Sequence, residues 1–419
     1  MKPWTTCSLL SYICLAGYTK NSSNPKPPDP QLLPSRKRNV SPRARTQDKA
    51  ISRQSSHRRQ PPSRSPSLSQ LGELGVIHLL RRRFATRTRS IIQGIGDDAA
   101  IVRLPAGHLL LASTDLLVEG IHFDLRYHTF GDIGYRAAVA NLSDIAAMGG
   151  TPRYLLTSLA LPARYRQDDL ETLYQGLHTA CQPYRLSLIG GDTSSSLSGV
   201  FLAITIIGSA LPDQILTRQG ARIGDLVYVT GTLGDAGAGL EILRHHTKPT
   251  RRRGRTDEQF LLLRHLRPIP RVGLARRLSC LRLATAAIDL SDGLASDLHH
   301  LCAESGVGAR IWAGALPLSP AFRRFMTRTL QDALDTALTS GEDFELLFTA
   351  SPTSRSRLDR LARSLDFPLT CIGEITSKRE GITLKHEDGS CRQIPTAGYT
   401  HFRQTKKASH TLYGRVSTG

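Results

Sequence analysis

Acidic residues recur in this sequence at one kind of place: beside Gly, Ser or Thr, where an apolar run ends. They stand in "GIGDD" (Asp97, Asp98), "ASTD" (Asp115), "NLSD" (Asp144), "GGDTS" (Asp192), "IDLSDG" (Asp289, Asp292) and "SGED" (Glu342, Asp343). Carboxylates are rarely buried unless a cation pairs with them. Lys and Arg are scarce in these stretches. A hard divalent cation is then the natural partner, and Mg2+ takes oxygen ligands while keeping positions for substrate phosphates. Turn chemistry accounts for any one of these acids, since Asp beside Gly or Ser makes Asx-turns and helix N-caps. It does not account for the set, because turns do not require this many strand-end acids with small neighbours.

Other phosphate and catalytic signatures are missing from the sequence. There is no GxxxxGK[ST], so this is not a P-loop chain. "GIGDDA" fails GxGxxG at its last position and puts charge where a pyrophosphate would approach. Kinase-like HRD and DFG elements are absent, as is the GxSxG of a serine hydrolase. His122 and His299-His300 have no nucleophile at readable spacing. "GTLGDAGAGL" is Gly-rich but acidic, and reads as close helix–strand packing.

The elements that must position the acids follow from periodicity. "GELGVIHLLRRRF" predicts an amphipathic helix that opens a folded region. "AAIVRLP" and "HLLLASTDLLVEG" predict strands split by a Pro-Ala-Gly turn. A small-residue helix follows in "IGYRAAVANLSDIAAMGG", then a strand in "YLLTSLALP" and a helix in "QDDLETLYQGLHTACQPY" with acids in its first turn. "LSLIGGDTSSS" predicts a strand running into a polar loop, and "GVFLAITIIGSA" another strand. The pattern then restarts with a strand in "DLVYVTG" and a helix in "LGDAGAGLEILRH". "TAAIDLSDGLASDLHHLCAESG" reads as strand, loop and helix, and "ALTSGEDFELLFTAS" as helix end, acidic loop and strand. "PLTCIGEIT" and "GITLKHED" close with short strands. The expectation is an α+β chain of two successive α/β halves, 71–211 and 212–404, followed by a tail, 405–419.

Composition bounds the rest. The 419 residues carry a formal net charge of +20, which suggests a nucleic-acid or membrane partner. Residues 1–70, however, hold 13 Lys+Arg against 2 Asp+Glu and ten of the 23 prolines. That segment reads as a disordered basic extension: a binding tail, a targeting peptide, or residues upstream of the true start. The basic loop 248–255 reads as solvated. Seven cysteines at irregular spacing form no CxxC and no Cys/His cluster, which points to a reducing, cytoplasmic location. No apolar run approaches the roughly 18–20 residues of a membrane-spanning helix.

Ordered along the chain, "GIGDDAAIV", "STDLLVEGIHFD", "GYRAAVANLSDIAAMGGTPRYLLTSLALP", "LIGGDTS", "LTRQGARIGDLVYVTGTLGDAGAGL", "HLRPIPRV", "AAIDLSDGLASDLHHLCAESGVGARI", "LPLSP", "SGEDFELLFT" and "GYTHF" resemble bacterial thiamine-monophosphate kinases. Those enzymes belong to the aminoimidazole-ribonucleotide synthetase-like superfamily. The resemblance spans about Gly72 to Phe402. It implies ATP-dependent phosphorylation of thiamine monophosphate to thiamine diphosphate by a homodimer whose N-terminal halves pair their sheets, with both substrates between the two halves. It implies that Asp98, Ser113, Thr114, Asp115, Asp144, Asp192, Asp289 and Asp292 hold several Mg2+ ions. Gly191, Asp192, Arg218 and Ser291 would contact ATP. His122, Glu342 and Tyr399 would line the thiamine-phosphate site. Asp97 would serve the turn or support the metal ligands from behind.

Such chemistry suits the residues. Bringing two phosphates together calls for positioning and charge neutralisation, with no covalent enzyme intermediate. The attacking phosphate is already anionic, so no strong base is needed. The chain departs from the family at Ser340, where Gly is usual and where a Ser would strain a loop that prefers positive φ. Ser194 stands where Thr is common. Two alternatives remain: another enzyme of the same superfamily, such as a phosphoribosyl-formylglycinamidine cyclase or a selenophosphate synthetase, or a nucleic-acid-binding protein acting through its tail. The glycine loop at 94–98 lacks the reactive Cys of a selenophosphate synthetase. A nucleic-acid binder would lose salt-sensitive affinity on deletion of residues 1–70.

Overall fold

The computed structural model describes residues 65–86, 88–93, 95, 101–245 and 256–396. The basic extension as far as residue 64, Asp97, Asp98, the basic loop 248–255, Tyr399 and the tail lie outside the described residues.

The first part of the chain runs α1 (Leu68–Phe84), β1 (Ile91–Gln93), β2 (Ile101–Val102), β3 (Leu109–Val118), α2 (Phe130–Ala147), β4 (Thr151–Leu161), α3 (Gln167–Cys181), β5 (Ser187–Ser195) and β6 (Phe201–Ala210). The second part opens with β7 (Leu226–Thr230), α4 (Asp235–His245), α5 (Thr256–Leu266), α6 (Val272–Cys280), β8 (Ala286–Leu290), α7 (Leu294–Ser305) and β9 (Gly308–Trp312). It closes with α8 (Pro320–Thr329), α9 (Ala333–Thr339), β10 (Glu345–Ala350), α10 (Arg355–Ala362), β11 (Leu369–Thr376), β12 (Ile382–Lys385) and β13 (Cys391–Gln393).

Two sheets dominate. A four-stranded sheet has the order β3-β6-β4-β5, with β4 and β5 parallel. A seven-stranded sheet has the order β13-β12-β9-β11-β7-β10-β8, antiparallel except where β12 meets β9. In β6 the residues Leu202, Ile204 and Ile206 are fully buried while Phe201, Ala203, Thr205 and Ile207 are only partly so. This is the period-two signature of a sheet packed on one face. Each such side chain contributes about 1.5–3 kcal/mol on burial.

Helix α2 covers that packed face and also meets β8, β10 and α6 of the second part. Its start is fixed by a capping box: the Thr129 hydroxyl accepts from Asp132 N, and the Asp132 carboxylate accepts from Thr129 N. An apolar core continues from α2 through Tyr228, Leu346 and Phe348, while a second core fills the other face of the seven-stranded sheet around Phe322 and Leu298.

The structure departs from the sequence reading at β5. The strand does not yield to a loop at Gly190-Gly191. It continues to Ser195, because parallel pairing with β4 holds out to Leu161↔Ser195.

Candidate active site

Helix α2 carries polar residues into the seam between the two sheets. Arg136 and Ser143 lie two turns apart and so share a face. Both are buried. Next to Ser143, Asp144 accepts a hydrogen bond of 2.5 Å from the Ser113 hydroxyl on β3. Asp115, two residues along the same strand, therefore faces the same side.

Asp289, at the end of β8, completes a carboxylate cluster. Burial pushes Asp115 up to about 6, and the Asp144 charge adds to the effect. Asp144 is also raised by burial, opposed by the Ser113 hydroxyl and by the charge of Arg218. Asp289 is pushed up to about 7 by burial first and then by Asp144, while the Ser143 hydroxyl acts against the rise. One Asp289 oxygen, Oδ2, is buried with no hydrogen-bond partner. Three acids from β3, α2 and β8 thus repel one another, and Arg218 approaches from the loop that joins the two parts. The arrangement is an acceptor set in need of cations.

Asp297 on α7 belongs to the same neighbourhood, and the sequence reading missed it. Its Oδ2 accepts from Asp292 N at 3.2 Å and Gly293 N at 3.1 Å, which shapes the loop carrying Ser291 and Asp292. Burial, then Asp289 and Asp292, raise Asp297 to about 8. Ser291 is tied to the acidic loop before β10, since Glu342 N donates to Ser291 O at 2.8 Å.

Strand register sorts the remaining candidates. Asp115, Ile204, Thr157 and Gly191 form one cross-strand row, and Leu116, Ala203, Ser158 and Asp192 form the next. The first row faces α2. Asp192 therefore lies on the other, exposed face of the sheet, where its Oδ1 accepts from Thr193 N. The Thr114 side chain is there too: its hydroxyl bonds Ile204 O at 3.0 Å and meets the Thr205 hydroxyl at 3.1 Å. Its side chain is not brought to the cluster, so only main-chain atoms of Thr114 are left to serve it. Gly191 has φ 154°, and a Cβ there would collide with the Thr157 carbonyl, so only glycine fits. His122, in the turn after β3, accepts from Val118 N at its Nδ1 at 3.0 Å.

The acidic loop splits its two carboxylates. Asp343 is buried and accepts from Gly234 N at 2.7 Å and Ala236 N at 3.0 Å, which anchors the start of α4. Glu342 is partly exposed and is held by Arg136, with His265 Nδ1 3.4 Å from its Oε2. The strain expected at Ser340 is not found there: its φ is −77° and its hydroxyl bonds Thr336 O. Positive φ falls instead on Glu342 (68°) and Phe344 (49°). Ser340 is accommodated by Gly237 of α4, where a Cβ would come within 2.5 Å of the Ser340 Cβ.

Comparison with known proteins identifies this architecture. Residues 96–210 match the family described as AIR synthase related protein, N-terminal domain, and residues 222–385 match the corresponding C-terminal domain. The thiamine-monophosphate kinase of Salmonella typhimurium is 40% identical over 335 residues, covering 79% of this chain and 98% of that protein. This chain belongs to the thiamine-monophosphate kinase family. The crystal structure of the Stenotrophomonas maltophilia family member aligns with a TM-score of 0.67 at 38% identity, covering 76% of this chain and 96% of that one. The structure of AaThiL complexed with AMPPCP and TMP aligns with a TM-score of 0.63 at 34% identity, covering 81% of this chain and 100% of that one.

Within this thiamine-monophosphate kinase fold, the structure gathers Ser113, Asp115, Asp144 and Asp289 with Arg218 beside them. Among the described residues, no group of three or more His, Cys, Asp or Glu closes on a single point as a self-sufficient metal cage. Sequence reasoning also passed over Arg136, Ser143 and His265. Arg136 carried a signal, as a lone cation in the small apolar run "GYRAAVANLSD" at two-turn spacing from the Ser-Asp pair.

Proposed function

We propose that this chain transfers the γ-phosphoryl group of ATP to the phosphate of thiamine monophosphate, forming thiamine diphosphate. The observation that carries the reading is the Asp115–Asp144–Asp289 cluster, assembled from both parts of the chain and flanked by Arg218, in a thiamine-monophosphate kinase family fold.

The residues suit Mg2+. Buried acids pushed toward protonation, with an orphaned Asp289 Oδ2, form an oxygen donor set that fits a hard divalent cation. Mg2+ ordinarily binds through one or two carboxylates plus substrate phosphates, so a cage closed by protein alone is not required. Asp115, Asp144 and Asp289 would hold the ions, with Ser113, Asp98 and Asp292 and the main chain of Thr114 as further oxygen donors; Asp192, on the outward face, would not reach them. Bound there, the ions supply neutralisation of the converging phosphates.

The chain's own groups do the rest. Arg218, with Gly191, the main chain of Asp192 and Ser291, binds the nucleotide and adds positive charge beside the acids. Ser113 and Ser143 orient Asp144 and Asp289. Glu342, His122 and Tyr399 hold the thiamine end and fix its phosphate in line. The nucleophile is anionic before it binds, so these residues need move no proton.

A homodimer fits the four-stranded sheet. Its uncovered face carries Leu110 and Leu116, 55% and 54% exposed, and Asp192 lies in the same row as Leu116. A second copy laid on this face would remove that apolar surface from water. All five described cysteines are free thiols, Cys181 and Cys302 buried among them, which suits the cytoplasm. No described helix is long and apolar enough to cross a membrane.

Incubation of the purified protein with ATP, Mg2+ and thiamine monophosphate should yield thiamine diphosphate. Asp115→Asn should lower kcat by about a hundredfold or more with the fold retained, the scale of losing a group that acts mainly in the transition state. A folded wild type that forms no thiamine diphosphate refutes the reading, and near-normal turnover in the variant removes Asp115 from the site.

A further inference from the structure

We infer that Arg136 and His265 are positioning residues for Glu342: a neutral His265 accepts from the Arg136 guanidinium at its Nε2 and its main-chain oxygen, and so aims that guanidinium at the Glu342 carboxylate beside Ser291. The inference rests on the proposal that Glu342 contacts thiamine monophosphate.

The hydrogen-bond pattern determines the tautomer. An arginine only donates. Arg136 Nη1 lies 2.9 Å from His265 Nε2 and donates to His265 O at 2.6 Å. His265 Nε2 is therefore an acceptor, and the ring's single proton sits on Nδ1. That atom lies 3.4 Å from Glu342 Oε2, while Arg136 Nη2 bonds Glu342 Oε1. His265 Nδ1 makes no hydrogen bond to Oε2, so the carboxylate is held through Arg136, and His265 acts by fixing Arg136.

A second imidazole follows the same logic. His128 Nε2 is 3.1 Å from His265 Nε2. Since His265 has no proton there, His128 donates, and its Nδ1 accepts from Asp124 N at 3.2 Å. The opposite tautomer, with Nδ1 donating to Asp124 O at 3.3 Å, would set two lone pairs against each other. The result is a converging pattern: His128 and Arg136 both point donors at His265, and Arg136 alone carries the hold on to Glu342.

Burial keeps both rings neutral. His128, His265 and Arg136 are 4%, 1% and 4% exposed. Burial and then Arg136 hold His265 well below the usual histidine range and His128 at about 4. A protonated His265 would turn an N–H toward Arg136. The device also has something to hold, because Glu342 sits at φ 68°, a region that non-glycine residues adopt at a cost. Its side chain remains 32% exposed, which leaves carboxylate surface for the cationic end of a thiamine phosphate.

Steady-state kinetics on the full chain, varying thiamine monophosphate and ATP separately, tests this. Glu342→Gln should raise KM for thiamine monophosphate and leave KM for ATP unchanged; if it does not, the assignment of Glu342 fails before this inference is reached. Given that result, Arg136→Met and His265→Phe should each raise the same KM by about tenfold to a hundredfold, the scale of releasing a charged hydrogen-bond partner, with kcat little altered. Arg136→Lys should rescue part of the loss, since a lysine can bond Oε1 but cannot also bridge to His265. An unchanged KM in Arg136→Met and His265→Phe, alongside a raised one in Glu342→Gln, overturns the inference. Long-range 1H–15N spectra of histidine-labelled wild type read the tautomers directly and do not depend on any variant folding. His265 protonated on Nδ1 and His128 on Nε2 are expected, and the reverse at His265 overturns it.

Discussion

His128→Gln should remove a defined part of the acid sensitivity of this protein. The folded chain holds His128 at about 4 against an ordinary 6.5, because burial disfavours the imidazolium and Arg136 adds repulsion. That is a shift of about 2.5 units, or about 3 kcal/mol at 1.36 kcal/mol per unit. The sign follows from proton counting. Between these two values the unfolded chain binds the proton and the folded chain does not, so stability rises with pH. The contribution is fully present above pH 6.5 and is lost as pH falls toward 4. By pH 4.5 the wild type should have lost about 2.5 kcal/mol on this account alone. Glutamine cannot titrate, yet its amide can still donate toward His265. Urea unfolding at fixed pH values from 7.5 to 4.5 measures the effect as the difference between wild type and variant. Buried acids such as Asp297 and Asp343 have raised values and slope the other way, but they are common to both proteins and cancel. A difference that stays constant to within about 0.5 kcal/mol across the range, a fraction of the linkage total, would refute the buried neutral imidazole and with it the donor role assigned to His128.

Two further substitutions probe the loop and the strand. Gly237→Ala should destabilise the fold by about 1–3 kcal/mol despite better helix propensity, since the new methyl meets Ser340; Gly237→Ala with Ser340→Gly should recover most of it in thermal melts, and an additive double variant would contradict the contact. Thr114→Val should keep turnover within about threefold, whereas Ser113→Ala should lose about tenfold or more through its released bond to Asp144; equal losses would mean that the Thr114 hydroxyl does act in the site.

The acids at strand ends were legible in the sequence because small neighbours and apolar runs mark them locally. Asp115, Asp144 and Asp289 are each visible in a four- to six-residue window, and the strand and helix periods place them. Which face each one occupies was harder to read. "STD" and "GGD" look alike as strings, but Asp115 faces α2 while Asp192 faces outward, and only the pairing of β4 with β5 decides that. Partnerships that cross between the two parts left no local trace at all. His265 meets Arg136 across 129 positions, and Glu342 meets Arg136 across 206. The strain assigned to Ser340 was misplaced because a loop's need for positive φ does not say which residue bears it, and here Glu342 and Phe344 do.

Strand β3 puts two incompatible demands on one ten-residue segment. Ser113 and Asp115 supply oxygen atoms to one side, and Leu110, Thr114 and Leu116 present a mostly apolar surface to the other. Because side chains alternate, gaining or losing a single residue upstream within the strand would exchange the two sides at once. Asp115 would then stand on the greasy surface and Leu116 would press into the carboxylates. Point changes in β3 can be graded and repaired, but changes of length cannot, so descendants of this sequence should vary in residue type along the strand while keeping its residue count invariant.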